Sequence, residues 1–279
     1  MSRVFRALEK AEKEKEEKSK KGPSFRMFEE KSGFGIEKSA LRLPHERPVE
    51  VGIPSREGAS ILVAPPNSFA AEQFRMLKTQ IFHWSSTPPH IILVTSSFPS
   101  EGKTTVSLNL ALAIAQEIQK KAILIDADLR RPSTYFESHR NSKGLSNYLL
   151  GQMDLSEILV NSDIENLSFI TAGPSPKKSS ELIGTTRMKE LLTSLREFGD
   201  DTYVIIDSPP ILATTEPTLL SKMVEGVILV VMADRTPRES VRRAIQSIDR
   251  EKIIGVVLNQ EELKGSSYYS GYYQSYYHK

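Results

Sequence analysis

From about residue 90 onward, short apolar runs alternate with amphipathic stretches. Strand-like runs rich in Val, Ile and Leu occupy Ile91–Val94, Ala122–Ile125, Leu167–Thr171, Tyr203–Ile206, Val227–Met232 and Ile253–Leu258. Between them, apolar residues at helical spacing predict helices over Val106–Gln119, Leu145–Leu150, Leu155–Val160, Met188–Phe198, Pro217–Met223 and Ser240–Arg250. Continuous apolar strands alternating with helices imply crossover connections, and each crossover lays a helix on a sheet face. The expected fold class is therefore α/β, a parallel β-sheet sandwiched by helices. Ligands in such sheets bind at the carboxyl ends of the strands.

Ahead of the sheet, Asn67 and Ser68 cap a helix over Phe69–His83, with Phe74, Leu77 and Ile81 on its apolar face. Glu72, Arg75 and Lys78 recur at spacings of three on one side of it. A charge row of this kind is usually a locally paired surface. Ile61-Leu62-Val63 adds a short edge strand or docks on the core. Gly22 to Ala59 mixes Gly, Pro, Ser and both charges without periodicity, and reads as a largely disordered linker. Met1 to Lys21 reads as a helix, with Val4, Phe5, Leu8 and Ala11 as a short apolar stripe before interleaved Glu and Lys. It is either a solvated helix or a docking helix for a partner or a membrane surface; its apolar face is small for membrane binding alone. The expected organisation is a charged helix over 1–21, a linker over 22–60, an α/β domain over 61–262 and a tyrosine-rich tail over 263–279.

The 279 residues are ample for a sizeable core. A formal net charge of +2 gives no nucleic-acid footprint. The absence of cysteine excludes disulfides and thiol metal sites and fits a cytoplasmic location. No apolar run approaches the roughly 20 residues a membrane helix needs, and no apolar core follows the basic N-terminus as in a secretory signal.

The densest chemistry lies in Ile91-Ile-Leu-Val-Thr-Ser-Ser-Phe-Pro-Ser-Glu-Gly-Lys-Thr-Thr105. An apolar strand runs into a small polar loop, and a helix follows. This is the frame of a phosphate-binding loop, G-x-x-x-x-G-K-[ST], with Ser97 where the first glycine belongs. Backbone N–H groups over Ser97, Phe98, Pro99, Ser100, Glu101, Gly102, Lys103, Thr104 and Thr105 and the helix N-terminus would face an anion, proline contributing no donor. Lys103 can reach the β- and γ-phosphates, and the Thr104 hydroxyl can hold Mg²⁺. Asp126 and Asp128 follow a second strand and alternate to one side; Asp207 follows a third. One such Asp could simply cap the next helix. Three beside a lysine loop balance a Mg²⁺-bound triphosphate, whereas bare they would repel.

This set resembles the deviant Walker P-loop ATPases, and within them the bacterial tyrosine kinases of capsule and exopolysaccharide synthesis. The matching stretches are Thr95–Thr105, Ile125-Asp-Ala-Asp-Leu-Arg-Arg-Pro132, Ile205-Ile-Asp-Ser-Pro-Pro210 and Gly255-Val-Val-Leu-Asn259, with Gly144-Leu-Ser146, Ala172-Gly-Pro174 and Ser180-Glu-Leu182 between them. Met1 to Leu8 resembles the start of soluble autokinases of polysaccharide clusters. The resemblance implies a P-loop NTPase fold and protein tyrosine kinase activity with ATP and Mg²⁺. It implies Asp126 and Asp207 near the metal, Asp128 as the base with Asp126 as runner-up, and Asn259 on adenine. Arg130 either stabilises transition-state charge or holds the loop after its strand. The helix motif E-x-x-R-x-x-R of that family reads Glu72, Arg75, Lys78 here and implies subunit contacts in a ring-shaped homo-oligomer. The partners implied are a membrane polysaccharide co-polymerase that activates the kinase from a separate chain, at the inner face of the cell membrane, and a cognate tyrosine phosphatase. Partition and septum-placing relatives, the main alternative as non-kinase ATPase switches, carry a signature lysine where Ser96 stands.

The chain ends in paired tyrosines every four residues: Tyr268-Tyr269, Tyr272-Tyr273 and Tyr276-Tyr277. They are either a self-associating low-complexity tail or a cluster of phospho-acceptors. The last strand points to the nucleotide edge of a parallel sheet. At about 3.3 Å per residue, the stretch from Asn259 to Tyr268 spans roughly 30 Å, enough to reach its own site or a neighbour's. Labelling of a neighbour, in trans, is the expected mode.

Overall fold

The computed structural model describes residues 63–133 and 143–260. The expected helix over 1–21, the linker, Ile61 and Leu62, and the whole tyrosine tail lie outside the described residues.

All six apolar runs become strands, each bounded by turn or helix, and those inside the sheet are buried on both faces. In chain order the elements are α1 (Phe69–Phe82), β1 (Ile91–Ser96), α2 (Lys103–Ala115), β2 (Lys121–Asp126), α3 (Leu145–Leu149), α4 (Leu155–Ile158), β3 (Val160–Asn161), β4 (Leu167–Ile170), α5 (Ser179–Ile183), α6 (Thr186–Arg196), β5 (Thr202–Asp207), α7 (Glu216–Ser221), β6 (Gly226–Met232), α8 (Arg238–Gln246) and β7 (Ile253–Asn259). They form one sheet of order β3-β4-β2-β5-β1-β6-β7. All neighbours pair in parallel except β3 and β4.

The antiparallel edge departs from the sequence reading, which placed Val160 at a helix end. Leu159 is already extended at the close of α4. Asn166 adopts a left-handed backbone (φ 62°), and Ser162 bonds to Ile164 and Leu167. The chain therefore doubles back into β4 instead of continuing the helix.

One sheet face packs under α1 and α2, through Ile92, Val94, Leu108, Ile114, Leu124, Tyr203 and Ile228. The other packs under α3 to α8, through Leu93, Ile125, Leu145, Leu191, Ile206 and Leu229. The strands inside the sheet are buried on both sides, which is why they read as apolar runs and not as alternating ones, whereas edge strand β7 leaves Val256 and Leu258 exposed.

Two boundaries matter for the site. The helix expected from Val106 starts at Lys103, directly behind Gly102, whose φ of 91° only glycine adopts readily. It ends at Ala115, before a turn in which Gln119 is left-handed (φ 59°). In β7 the register slips by one residue: Val227 pairs with Ile253, but Ile228 pairs with Gly255. This bulge turns Val257 onto the α1–α2 side, with Ile254, and by alternation Asn259 follows.

Candidate active site

The parallel register brings the sequence-separated motifs to one edge. Asp126 and Asp207 end adjacent strands as direct register partners, and Val94 lies opposite Asp207 on the other side. The loop after β1 therefore rises beside both carboxylates. Within it, Ser100 (φ 64°) and Gly102 (φ 91°) are left-handed. Such alternation turns successive N–H groups inward and makes an anion cradle at the N-terminus of α2.

The carboxylates differ in environment. Asp126 is buried; its oxygens accept from the N–H groups of Asp128 (3.1 Å) and Ser133 (2.7 Å). Burial, then the charge of Asp207, pushes its pKa well above the usual carboxylate range, against those two hydrogen bonds. Asp207 is also buried, and burial raises it to about 6, opposed by the Lys103 charge and by hydrogen bonds from Thr104 and Ser107. Asp128 is half-buried and accepts from the Arg131 N–H at 3.0 Å. It adds to the negative potential on both neighbours.

This donor set fits a Mg²⁺-bound polyphosphate. Burial disfavours the charged form of both acids, and a cation bound between them would favour it. Ser97 Oγ is fully buried without a hydrogen-bond partner, and it stands at the cradle. The described residues contain no group of three or more His, Cys, Asp or Glu placed to bind a metal by themselves. A cation here would complete its shell with Thr104, phosphate oxygens and water, as Mg²⁺ commonly does.

Other expected site residues are placed less directly. Glu101 contributes its backbone to the cradle, but its side chain is buried behind it and accepts from Phe98 N–H at 2.8 Å. Asn259 lies against the loop: its Nδ2 donates to the Glu101 carbonyl at 2.9 Å. A Cβ on Gly102 would come within 1.9 Å of that Nδ2, so glycine is needed here on contact grounds as well. Arg130 turns from the carboxylates to Glu216 Oε1 (2.7 Å) and Ser180 Oγ (2.9 Å). Of its two expected roles, this geometry favours holding the loop after β2. Glu216 was not anticipated. It is 1% exposed; burial raises its carboxyl, but the Arg130, backbone and Ser180 hydrogen bonds outweigh that and leave it below the usual range. No motif marks it, and only a cation in want of a partner at Arg130 could have hinted at it.

The row on α1 is spent within the chain. Arg75 pairs with Glu72 at 2.6 Å and also bonds the Pro66 carbonyl. Lys78 is buried against Glu117, beyond the end of α2.

Residues 90–254 match a family described as an AAA domain. The tyrosine-protein kinase YwqD of Bacillus subtilis (strain 168) is 34% identical over 217 residues, covering 76% of this chain and 90% of that protein. The chain belongs to the bacterial tyrosine-protein kinases. The kinase domain of the Escherichia coli tyrosine kinase ETK aligns with a TM-score of 0.68 at 32% identity, over 76% of this chain and 84% of that one. The chimerical protein CapA2B2 aligns with a TM-score of 0.65 at 33% identity, over 70% and 87% of the two chains. These two structures and the present chain share the P-loop NTPase-like sheet described above.

Proposed function

We propose that this kinase transfers the γ-phosphoryl group of ATP to tyrosines of its own C-terminal cluster, in trans between copies. The observation that supports this reading best is the convergence of Lys103, Thr104, Asp126 and Asp207 on one sheet edge, to which β7 also runs. The cradle from Ser97 to Thr105 binds the phosphates, and Lys103 reaches the γ-phosphate. Thr104, Asp126 and Asp207 hold Mg²⁺ directly or through water; the ion supplies neutralisation of phosphate charge. Asp128, the more accessible acid, accepts the tyrosine proton as the phosphoryl group passes to the phenol oxygen and ADP departs. Positioning and charge stabilisation do most of the work in such a transfer. Arg130 holds the loop that carries Asp128, and Asn259 orders the cradle and meets the adenine.

Tyr268, Tyr269, Tyr272, Tyr273, Tyr276 and Tyr277 are the acceptors. Each phosphate adds about −1.5 to −2 charge, so a labelled tail repels its neighbours and loosens a homo-oligomer built on α1. The wider role is regulation of capsule or exopolysaccharide polymerisation and export, with a membrane co-polymerase as activator and a tyrosine phosphatase to reset the tail. Among the described residues no helix is long and apolar enough to cross a membrane, so recruitment through a partner is consistent. No nucleic acid is involved.

Mixing full-length Lys103→Met protein with active protein lacking residues 263–279 tests the trans mode. Phosphotyrosine on the inactive full-length chain is expected; an unlabelled chain beside a tail-bearing control that labels itself would contradict trans transfer.

A further inference from the structure

A strut from outside every motif reaches the back of the phosphate cradle. Glu101 is 3% exposed. One carboxyl oxygen accepts from Phe98 N–H inside the loop at 2.8 Å, and the other accepts from the Thr236 hydroxyl. Thr236 lies in the turn between β6 and α8. That turn is closed in both directions: Met232 N–H donates to Thr236 Oγ1 at 3.1 Å, and Thr236 N–H donates to the Met232 carbonyl at 3.1 Å. Asp234 takes a left-handed backbone (φ 56°) to make the turn. The same strand ends bear on the loop a second time. Ala233 N–H donates to the Asn259 carbonyl at 2.9 Å, and Asn259 Nδ2 donates to the Glu101 carbonyl at 2.9 Å.

We propose that Thr236 is a positioning residue for phosphate binding, acting through Glu101 to fix the loop that presents Ser97 to Gly102. A buried carboxyl group must have its hydrogen bonds met, and it keeps whatever arrangement meets them. Phe98 N–H and the Thr236 hydroxyl meet those of Glu101. Without the hydroxyl, one carboxyl oxygen and the Met232 N–H lose their partner, and Glu101 gains by rotating or hydrating. Either motion frees Phe98 and lets the cradle N–H groups drift from the alignment an anion needs. The hydroxyl never touches the nucleotide. Its effect falls on binding, which is shared by ground and transition states, so KM moves more than kcat.

This inference rests on the phosphate-cradle reading, and wild-type protein separates the two. Titration of full-length chain with Mg·ADP should show tight binding; no binding by the wild type would remove the site reading itself. Given wild-type binding, Thr236→Val should raise the Kd for Mg·ADP and the KM for ATP about tenfold, with kcat within about threefold. Thr236→Ser restores the hydroxyl and should return both to within about twofold. Wild-type affinity in Thr236→Val, or equal losses in Val and Ser variants, would overturn the proposal. Should the Val variant fail to fold, Glu101→Met keeps the length of the side chain but accepts from neither the Phe98 N–H nor the Thr236 hydroxyl. It should weaken Mg·ADP roughly fivefold, and an unchanged Kd would count against the strut.

Discussion

The carboxyl edge of the sheet and α1 both carry rows of charge, yet they are left in opposite states. On α1 the charges are used up locally: Arg75 on Glu72 and Pro66, Lys78 on Glu117. At the sheet edge Asp126 and Asp207 are buried side by side with their pKa values raised, and Ser97 Oγ has no partner. The first region has its charges paired within the chain. On the function proposed above, the second would be completed by a cation and an anion from outside. Charge density alone does not distinguish them; unmet demand does, and it marks the ligand site.

The contrast can be broken most sharply at Lys103. Lys103→Met should abolish phosphotyrosine in purified protein given Mg·ATP, read by anti-phosphotyrosine blot, while leaving the fold intact by circular dichroism. Persistent signal would move the active site elsewhere. Next in size, Phe at all six tail tyrosines should remove nearly all label while Mg·ADP binding stays at the wild-type level; labelling at the usual level would place the acceptors outside the tail.

Asp207→Asn should lower Mg·ADP affinity by at least tenfold, the scale of a lost charge-assisted contact, yet raise the melting temperature of the nucleotide-free protein. The pH dependence carries the sign. Asp207 ionises near 3.8 when unfolded and at about 6 when folded. Between those values the folded state holds more protons, so this group's contribution to stability falls as pH rises through that window and is fully unfavourable above it. The melting-temperature advantage of Asp207→Asn over wild type should therefore grow from pH 4 to pH 7 and vanish when Mg·ADP is added. A constant difference would mean that Asp207 is not strained by burial. Smallest of all, Arg75→Ala should cost no more than about 1 kcal/mol of stability, as exposed pairs do; a larger loss by chemical denaturation would show that the α1 row supports the fold.

Much of this was legible in the chain. Apolar runs give the strands because a parallel sheet buries both faces, and strand ends fix where Lys103, Asp126 and Asp207 meet. What periodicity cannot show is pairing across long separations. Glu216 under Arg130 and Thr236 behind Glu101 are joined by side chains alone, 86 and 135 residues apart. The bulge in β7 leaves Ile254 as the extra residue, and Gly255 inside the apolar run is its one trace in sequence. Yet it sets the side on which Asn259 emerges. The short antiparallel strand at Val160 was misread as helix because four residues of amphipathic pattern do not show where a helix stops.

The central claim is that the unmet edge delivers phosphate to tyrosine. Wild-type protein incubated with radiolabelled ATP and Mg²⁺, then hydrolysed and resolved by phosphoamino-acid analysis, tests it in one step. Label in phosphotyrosine alone is the expected result. Release of inorganic phosphate with no labelled tyrosine would contradict it and leave a nucleotide switch in place of a kinase.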